Sequence, residues 1–420
     1  MGSRCSRPNR PLSRRSLSMR VAIIDDAGFG SGGTGLFGKE LYSWLLAEVN
    51  ERLLGNQVIR VDLGSSGPQR KFRSSNGKGV PLLRPFRDPE TVKGMSSLVR
   101  REGAELLHAN VVNARFPRSI VKVAKDTGVP LVTTVHSYNP VCPTGWATRL
   151  PELSPCGDLG LQAHCPICLL NRRSAGGSTA RSLLDGFNQY DALRQLIRRS
   201  NSVVAPSKTL ARSLSANIGS LTPHVLYNPL PSELLSSVPV PASENCAAFA
   251  GRLTPEKGAH LLPKLSEMLG GAKLHVMGRG PLSGFLEQQA RTRPNLVYHG
   301  YVPEQEKRDI FRRAAVVVAP SLWFEAFGYS AAEALAMGRP VVGFGVGGIG
   351  ELISESGGGI AVKPFVLGEF AAAVESILGD AGLSGELGIK ARQFAERELS
   401  EEGFSGKLLK VYEEARSEGR

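Results

Sequence analysis

Ala319-Pro320-Ser321-Leu322-Trp323-Phe324-Glu325-Ala326-Phe327-Gly328-Tyr329-Ser330-Ala331-Ala332-Glu333-Ala334-Leu335-Ala336-Met337-Gly338-Arg339-Pro340-Val341-Val342 runs from a strand end through a loop and a helix to the next strand. The β-branched runs at 316–320 and 340–344 are short, apolar and bounded by Pro or Gly, as buried parallel strands are. Residues 330–337 between them read as a short helix, with Gly338 at its C-terminus. A strand, a crossover helix and a second strand make one βαβ unit, and such units repeat on either side. Upstream, strands are expected at 247–253, 273–278 and 296–302, with helices between them. Earlier still, Val21-Ala22-Ile23-Ile24, Val58-Ile59-Arg60-Val61, Leu131-Val132-Thr133-Thr134-Val135 and Ser202-Val203-Val204-Ala205 repeat the pattern. The chain is therefore α/β, with open parallel sheets.

The two series are separated by the Pro/Ser-rich stretch Asn228-Pro229-Leu230-Pro231-Ser232 through Val240-Pro241-Ala242-Ser243, which reads as a helix-poor linker. The expected organisation is a basic, disordered leader at 1–18, a first domain at 19–227, a linker at 228–245, a second domain at 246–395 and a terminal helix at 396–420. Two α/β domains on one linker leave a cleft, and open sheets bind ligands at the carboxyl ends of their strands.

Composition excludes some classes outright. At 420 residues, 41% hydrophobic and 21% charged, the chain is too apolar to be disordered and long enough for two or three domains. Its apolar runs fall far short of the ~18 residues of a membrane span. The net charge of +13 suggests nucleic acid until it is located. Residues 1–18 hold five arginines and no acid, and residues 172–212 hold eight bases against two acids, so the remainder is nearly neutral. Nucleic-acid binding loses its support.

Three strand ends carry chemistry. After the first strand, Gly28-Phe29-Gly30-Ser31-Gly32-Gly33 matches a dinucleotide fingerprint, and Gly33-x4-Gly38-Lys39 nearly matches a phosphate loop but has Glu40 where a hydroxyl should hold Mg²⁺. Both patterns present backbone N–H groups and a helix dipole to an anion. A nicotinamide-dependent oxidoreductase stays open on this loop alone. In the second half, Gly251-Arg252-Leu253-Thr254-Pro255-Glu256-Lys257-Gly258 places two cations at a strand end, which suits a diphosphate. Gly278 marks a glycine turn one strand on. In the opening stretch, the start of the helix at Gly328, Tyr329 and Ser330 can donate to phosphate, while Glu325 and Glu333, with seven residues between them, can accept from sugar hydroxyls on either side.

This Glu-x7-Glu element, with Gly-Arg-Leu-Thr-Pro-Glu-Lys-Gly upstream and Gly347-Gly348-Ile349-Gly350-Glu351-Leu352 downstream, resembles family 4 of the retaining glycosyltransferases. The resemblance spans the chain from Met19 and is dense in its second half. It implies the GT-B fold, two Rossmann-like domains facing each other across a cleft, and a nucleotide-diphosphate sugar as donor. It implies that Arg252 and Lys257 bind the diphosphate, that Glu325 holds the donor sugar and Glu333 the ribose, and that Gly32, Gly33, Gly278, Phe327, Gly328, Tyr329 and Ser330 line the donor site. His136, ending the 131–135 strand, matches the family's histidine near the sugar and acceptor, although Ser137 stands where the family often has Asp. The acceptor implied is a glycan or a lipid-linked molecule in polysaccharide or glycolipid assembly, in the cytoplasm or at the inner face of the membrane. A non-catalytic sugar-nucleotide binding protein is the alternative. The family's reaction requires no cofactor.

Two further segments draw attention. Cys142, Cys156, Cys165 and Cys168 lie in a Pro/Gly-rich stretch, the last two with C-x-x-C spacing, and four thiolates would suit structural Zn²⁺ in a segment lacking a core of its own. An Fe–S cluster, free thiols or disulfides are the other readings, while Cys5 and Cys246 read as incidental. Leu183, Leu184, Phe187, Tyr190, Leu193 and Ile197 recur at helical spacing beside Arg194, Arg198 and Arg199, a basic amphipathic helix that either touches anionic lipid or packs with a solvated cationic face.

Overall fold

The computed structural model describes residues 19–25, 58–62, 89–111, 117–157, 159–171, 179–236 and 242–418. The leader, the glycine loop with Gly32 and Gly33, and Glu40 lie outside the described residues, as do Arg172 and Arg173 of the basic segment.

Strands β1 (Val21–Asp25), β2 (Val58–Asp62), β3 (Leu106–Val111) and β4 (Leu131–Val135) are followed by a two-residue antiparallel ladder, β5 (Thr148–Arg149) and β6 (Ser154–Pro155), and then by β7 (Ser202–Ala205) and β8 (His224–Val225). The first sheet is wholly parallel, in the order β2-β1-β3-β4-β7-β8. The described side chains of β1, β3, β4 and β7 are buried on both faces, and alternate residues serve opposite layers. Ala22 and Ile24 meet the helices Pro89–Glu102 and Pro117–Thr127, while Val21 and Ile23 face the other side.

The second sheet comprises β9 (Cys246–Ala250), β10 (Lys273–Met277), β11 (Leu296–Gly300), β12 (Val316–Ala319), β13 (Val341–Phe344) and β14 (Gly359–Val362). All its pairs are parallel, in the order β11-β10-β9-β12-β13-β14. Chain direction across the sheet reverses between β9 and β12, and a crevice opens beyond the carboxyl ends of strands at such a reversal. Arg252 leaves β9 and the 320–328 loop leaves β12 at this point. The molecule is thus two Rossmann-like domains.

The structure departs from the sequence reading in four places. Strand β3 was not expected, because His108 and Asn110 interrupt its apolar run, and β14 was not expected because Gly357-Gly358-Gly359 looks like a turn. The linker is not helix-poor: it contains the helix Ser232–Ser236, buries Leu230 and Leu234, and donates the Leu230 N–H to the Leu399 carbonyl at 2.9 Å. Finally, the last helix, Glu401–Glu418, returns to the first domain, where Phe404, Leu408, Val411, Tyr412 and Ala415 complete the layer of Val21, Ile23 and Leu106. The chain therefore crosses between domains twice. No helix among the described residues is long and apolar enough to cross a membrane.

Candidate functional site

Glycines bring the strand-end loops of the second domain together. Gly278 follows β10 with φ +141°, and a Cβ there would stand 1.9 Å from the Gly251 carbonyl oxygen. Gly258, at φ +71°, comes as close to the Pro320 carbonyl, where a Cβ would stand at 2.0 Å. Backbones this close leave no room for any side chain. The β9, β10 and β12 loops consequently form one surface.

The two cations sit on that surface over one indole. Arg252 lies with its guanidinium carbon 5.8 Å from the Trp323 ring centre and a nitrogen 3.5 Å from Glu256 Oε1. Lys257 closes the 3-10 turn Pro255–Lys257 and places Nζ 5.5 Å from the same ring. Cations over an aromatic face are attracted by its quadrupole. Trp323 is a site residue that the sequence reading passed over, since an aromatic residue in a loop gives no sign of which charges will settle on it.

Lys257 Nζ also pairs with Glu325 Oε1 at 2.7 Å, and Ser321 Oγ donates to the same oxygen at 2.5 Å. Burial pushes the Glu325 carboxyl up, but the Lys257 charge and the hydrogen bonds from Lys257 and Ser321 outweigh it and hold the group below the usual carboxylate range. It is ionised, hence an acceptor. Gly328 caps the helix Tyr329–Ala336 at φ +106° without a side chain, so the start of the helix presents backbone N–H groups and its positive dipole end. Phe327 is buried ahead of it, 5.2 Å from the Tyr329 ring.

Glu333 lies within this helix, buried, and pairs with Lys307 of the helix Glu304–Arg313 at 2.6 Å. Lys307 also binds Glu304 Oε1 at 2.9 Å. Burial raises the Glu333 carboxyl above its ordinary range despite Lys307, and Glu304 adds to the rise. Both carboxylates singled out by spacing therefore already hold a lysine. Lys307 was not singled out, because it belongs to a helix whose pattern is an ordinary charged face.

From the first domain, half-buried His136 follows β4 and lies with Nε2 2.5 Å from Asn110 Oδ1 on β3. Oδ1 only accepts, so Nε2 is the protonated nitrogen in this pair. The cysteine segment lies against the 320–328 loop of the second domain. Trp146 accepts the Phe324 N–H at 2.9 Å, Thr148 Oγ1 donates to the Leu322 carbonyl at 2.9 Å, and the Trp146 and Trp323 rings meet edge to face at 6.2 Å. The cysteine loop is thus a wall of the site.

Its thiols are individually engaged. Cys142 Sγ lies 3.1 Å from Thr144 Oγ1, Cys165 accepts the Gln162 N–H, Cys168 accepts the Leu150 N–H, and Cys156 Sγ lies 3.6 Å from His164 Nε2. Cys165 and Cys168 open the helix Cys165–Asn171. In the basic helix Thr179–Arg198, Arg194 donates to the carbonyls of Pro140 and Asn217, so this arginine clamps the loop rather than facing solvent, while Arg198 and Arg199 are exposed.

A second contact fixes the domains to each other. Glu351, in the helix Gly347–Ser356, accepts the N–H groups of Lys208 and Thr209 at 2.7 Å each, the Thr209 hydroxyl at 2.6 Å and the Tyr227 hydroxyl at 2.8 Å. A carboxylate at the start of the helix Lys208–Ile218 complements its dipole. Glu351→Ala is expected to cost about 3 kcal/mol, since hydrogen bonds to a charged group contribute about 1.5–3 kcal/mol each and water replaces part of the set. The denaturant midpoint measures this, and an unshifted midpoint would show that the contact contributes nothing.

Against known proteins, residues 244–380 match the family model described as glycosyl transferases group 1. The matched segment is similar to group 1 glycosyl transferases. It contains Arg252, Lys257, Glu325 and Glu333. An uncharacterized glycosyltransferase of Methanocaldococcus jannaschii is 33% identical over 183 residues, 42% of this chain and 46% of that one. Glycogen synthase of Mycobacterium tuberculosis is 28% identical over 282 residues, 65% of this chain and 60% of that one. The matched segments thus span about half to three fifths of those relatives. Among solved structures, sucrose-phosphate synthase from Thermosynechococcus elongatus superposes with a TM-score of 0.73 at 18% identity, covering 95% of this chain and all of that one. Anabaena HepE in complex with UDP gives 0.65 at 16% identity, covering 94% of this chain and all of that one. The fold is that of GT-B glycosyltransferases.

Proposed function

We propose that the protein is a retaining glycosyltransferase of family 4 that moves a sugar from a nucleotide-diphosphate donor to a glycan or lipid-linked acceptor. The observation that carries this reading is the placement of Arg252 and Lys257 over Trp323, at the sheet reversal and beside the buried carboxylate of Glu325. A diphosphate leaving group gains charge as the glycosidic bond breaks, and fixed cations aimed at that charge lower the barrier. Arg252 and Lys257 supply them, with the Tyr329–Ala336 helix start behind. Glu325, ionised and rigidly held, accepts from donor-sugar hydroxyls, and Glu333 does the same for the ribose. By the resemblance, Gly32 and Gly33 would contact the diphosphate, and His136, whose Nε2 is held by Asn110, would lie near the sugar and acceptor. Retention follows when the leaving phosphate oxygen takes the acceptor hydroxyl's proton on the face it departs from, so neither carboxylate acts as a nucleophile.

The chemistry in this reading uses side chains and backbone, with no cofactor. Structural Zn²⁺ on Cys142, Cys156, Cys165 and Cys168 is a separate part of the proposal. Burial raises the Cys165 thiol and the neighbouring Cys142 and Cys168 raise it further, while the four sulfurs do not gather within 4.8 Å of one another, so binding would require the loop to contract. An ion there would stiffen the loop that carries Trp146 and Thr148 without touching the reacting atoms. The exposed arginines of the Thr179–Arg198 helix would meet anionic lipid at the inner face of a cytoplasmic membrane, near a lipid-linked acceptor.

A thermal-shift series with UDP, GDP and ADP sugars tests the donor, and NMR of the product tests the stereochemistry. One nucleotide series is expected to raise Tm selectively, and the new linkage is expected to keep the donor's anomeric configuration. No stabilisation by any donor would refute the donor assignment, and an inverted linkage would refute retention.

A further inference from the structure

Toward the amino-terminal end of β9, opposite the end that Arg252 leaves, a mixed set of donors converges. Glu244 ends the linker, Cys246 opens β9 and His275 lies on β10, and one ligand atom from each falls within 4.8 Å of the others. Cys246 Sγ is 3.9 Å from Glu244 Oε2, and His275 Nε2 is 4.0 Å from the same oxygen. His275 is 8% exposed, and its Nε2 is buried without a hydrogen-bond partner. A buried imidazole nitrogen left bare is costly unless something binds it.

The surroundings aim the set. Arg313 holds the other Glu244 oxygen at 3.3 Å, turning Oε2 toward the thiol and the ring. Glu244 takes its backbone position from the Arg313 carbonyl, which accepts its N–H at 3.0 Å, and Ala315 donates to the Cys246 carbonyl at 2.9 Å. Behind His275, Nδ1 lies 2.9 Å from His299 Nε2 on β11, with the rings stacked 5.1 Å apart. When His275 Nδ1–H donates to His299, Nε2 presents a lone pair, which is the outer-shell arrangement that orients metal-bound histidines.

We infer that Glu244, Cys246 and His275 bind a borderline-soft divalent ion of the Zn²⁺ or Co²⁺ class, with His299 positioning His275. One nitrogen, one sulfur and one carboxylate oxygen match the ligand chemistry of Zn²⁺, and three protein ligands leave a fourth position for water. Bonds of about 2.0–2.3 Å in a tetrahedron bring ligand atoms to about 3.3–3.7 Å, so a set lying within 4.8 Å must contract by up to about an ångström. The site lies six residues, about 20 Å of extended chain, from Arg252. Its role is structural: it ties the exit of the linker to two strands of the sheet.

The test is a Co²⁺ titration of the full chain after chelation, following thiolate-to-cobalt absorbance and stoichiometry. Cys246→Ala is expected to bind one equivalent fewer than wild type, whatever the cysteine loop binds. Glu244→Gln, at an exposed position that leaves the fold intact, is expected to weaken that equivalent at least tenfold, and His299→Gln about 10–100-fold. Saturating Zn²⁺ is expected to raise the Tm of wild type by about 5 °C or more and of Cys246→Ala by less. Equal cobalt stoichiometry and affinity in wild type, Cys246→Ala and Glu244→Gln would overturn the assignment.

Discussion

Replacing Lys257 by Ala is expected to lower kcat/KM about ten- to a hundredfold, as measured by initial rates at saturating acceptor. In the proposed reaction the lost contact is a charge-assisted hydrogen bond to the leaving group, about 1.5–3 kcal/mol of transition-state stabilisation. The same change also harms the fold, because Glu325, its side chain only 11% exposed, is left without its cation, and breaking a buried pair costs about 3–5 kcal/mol. Two further variants separate these effects. Lys257→Ala with Glu325→Gln removes the stranded charge and should recover part of the lost Tm without recovering turnover. Arg252→Ala removes a half-exposed cation whose Glu256 contact is long, so its loss should appear in turnover and hardly in Tm. An Arg252→Ala enzyme with unchanged kcat/KM would end the diphosphate assignment.

Acid is expected to unfold the first domain through His108. The imidazole is fully buried between Tyr412, at 2.7 Å from Nδ1, and Thr134, at 2.8 Å from Nε2. Burial lowers its pKa from the ordinary 6.5 to about 3. An unfolded chain takes up a proton below about pH 6.5, whereas the native chain resists until about pH 3. Through that window the unfolded state binds more protons, so stability falls as pH falls. At pH 4.5 the loss relative to pH 7 comes to about 3 kcal/mol from this residue alone. Denaturant midpoints at pH 7 and 4.5 should therefore diverge in wild type and converge in His108→Gln, whose amide can bond both hydroxyls without titrating. Identical pH slopes in the two proteins would count against it.

His108 also shows what sequence alone reveals and what it conceals. Strands such as Val316–Ala319 and Leu131–Val135 are legible because their β-branched runs are unbroken and bounded by turn residues. Strand β3 is not, since His108 is tolerated in the core only because Tyr412, 304 residues onward, supplies a partner. The site divides in the same way. Arg252, Lys257 and Glu325 stand in loops that follow strands and Glu333 within the next helix, where a βα pattern fixes position. Trp323, Lys307 and the docking of Trp146 on the 320–328 loop depend on how separate units meet, which no local spacing encodes. Cys246 reads as incidental for that reason: its neighbours Glu244 and His275 become neighbours only when β9 pairs with β10.

The double crossing between the domains constrains how the cleft can move. The outward passage at Leu230 and the return at Leu399 are joined by a backbone hydrogen bond, and Ser232 N–H donates to Glu401 Oε1 at 3.3 Å beside it. Two covalent connections fastened side by side behave like the spine of a book. They permit the covers to swing about one line while resisting twist and slide. Opening for donor entry would then leave the register of the two walls unchanged, so that Trp146 and Trp323 return to the same contact at each closure.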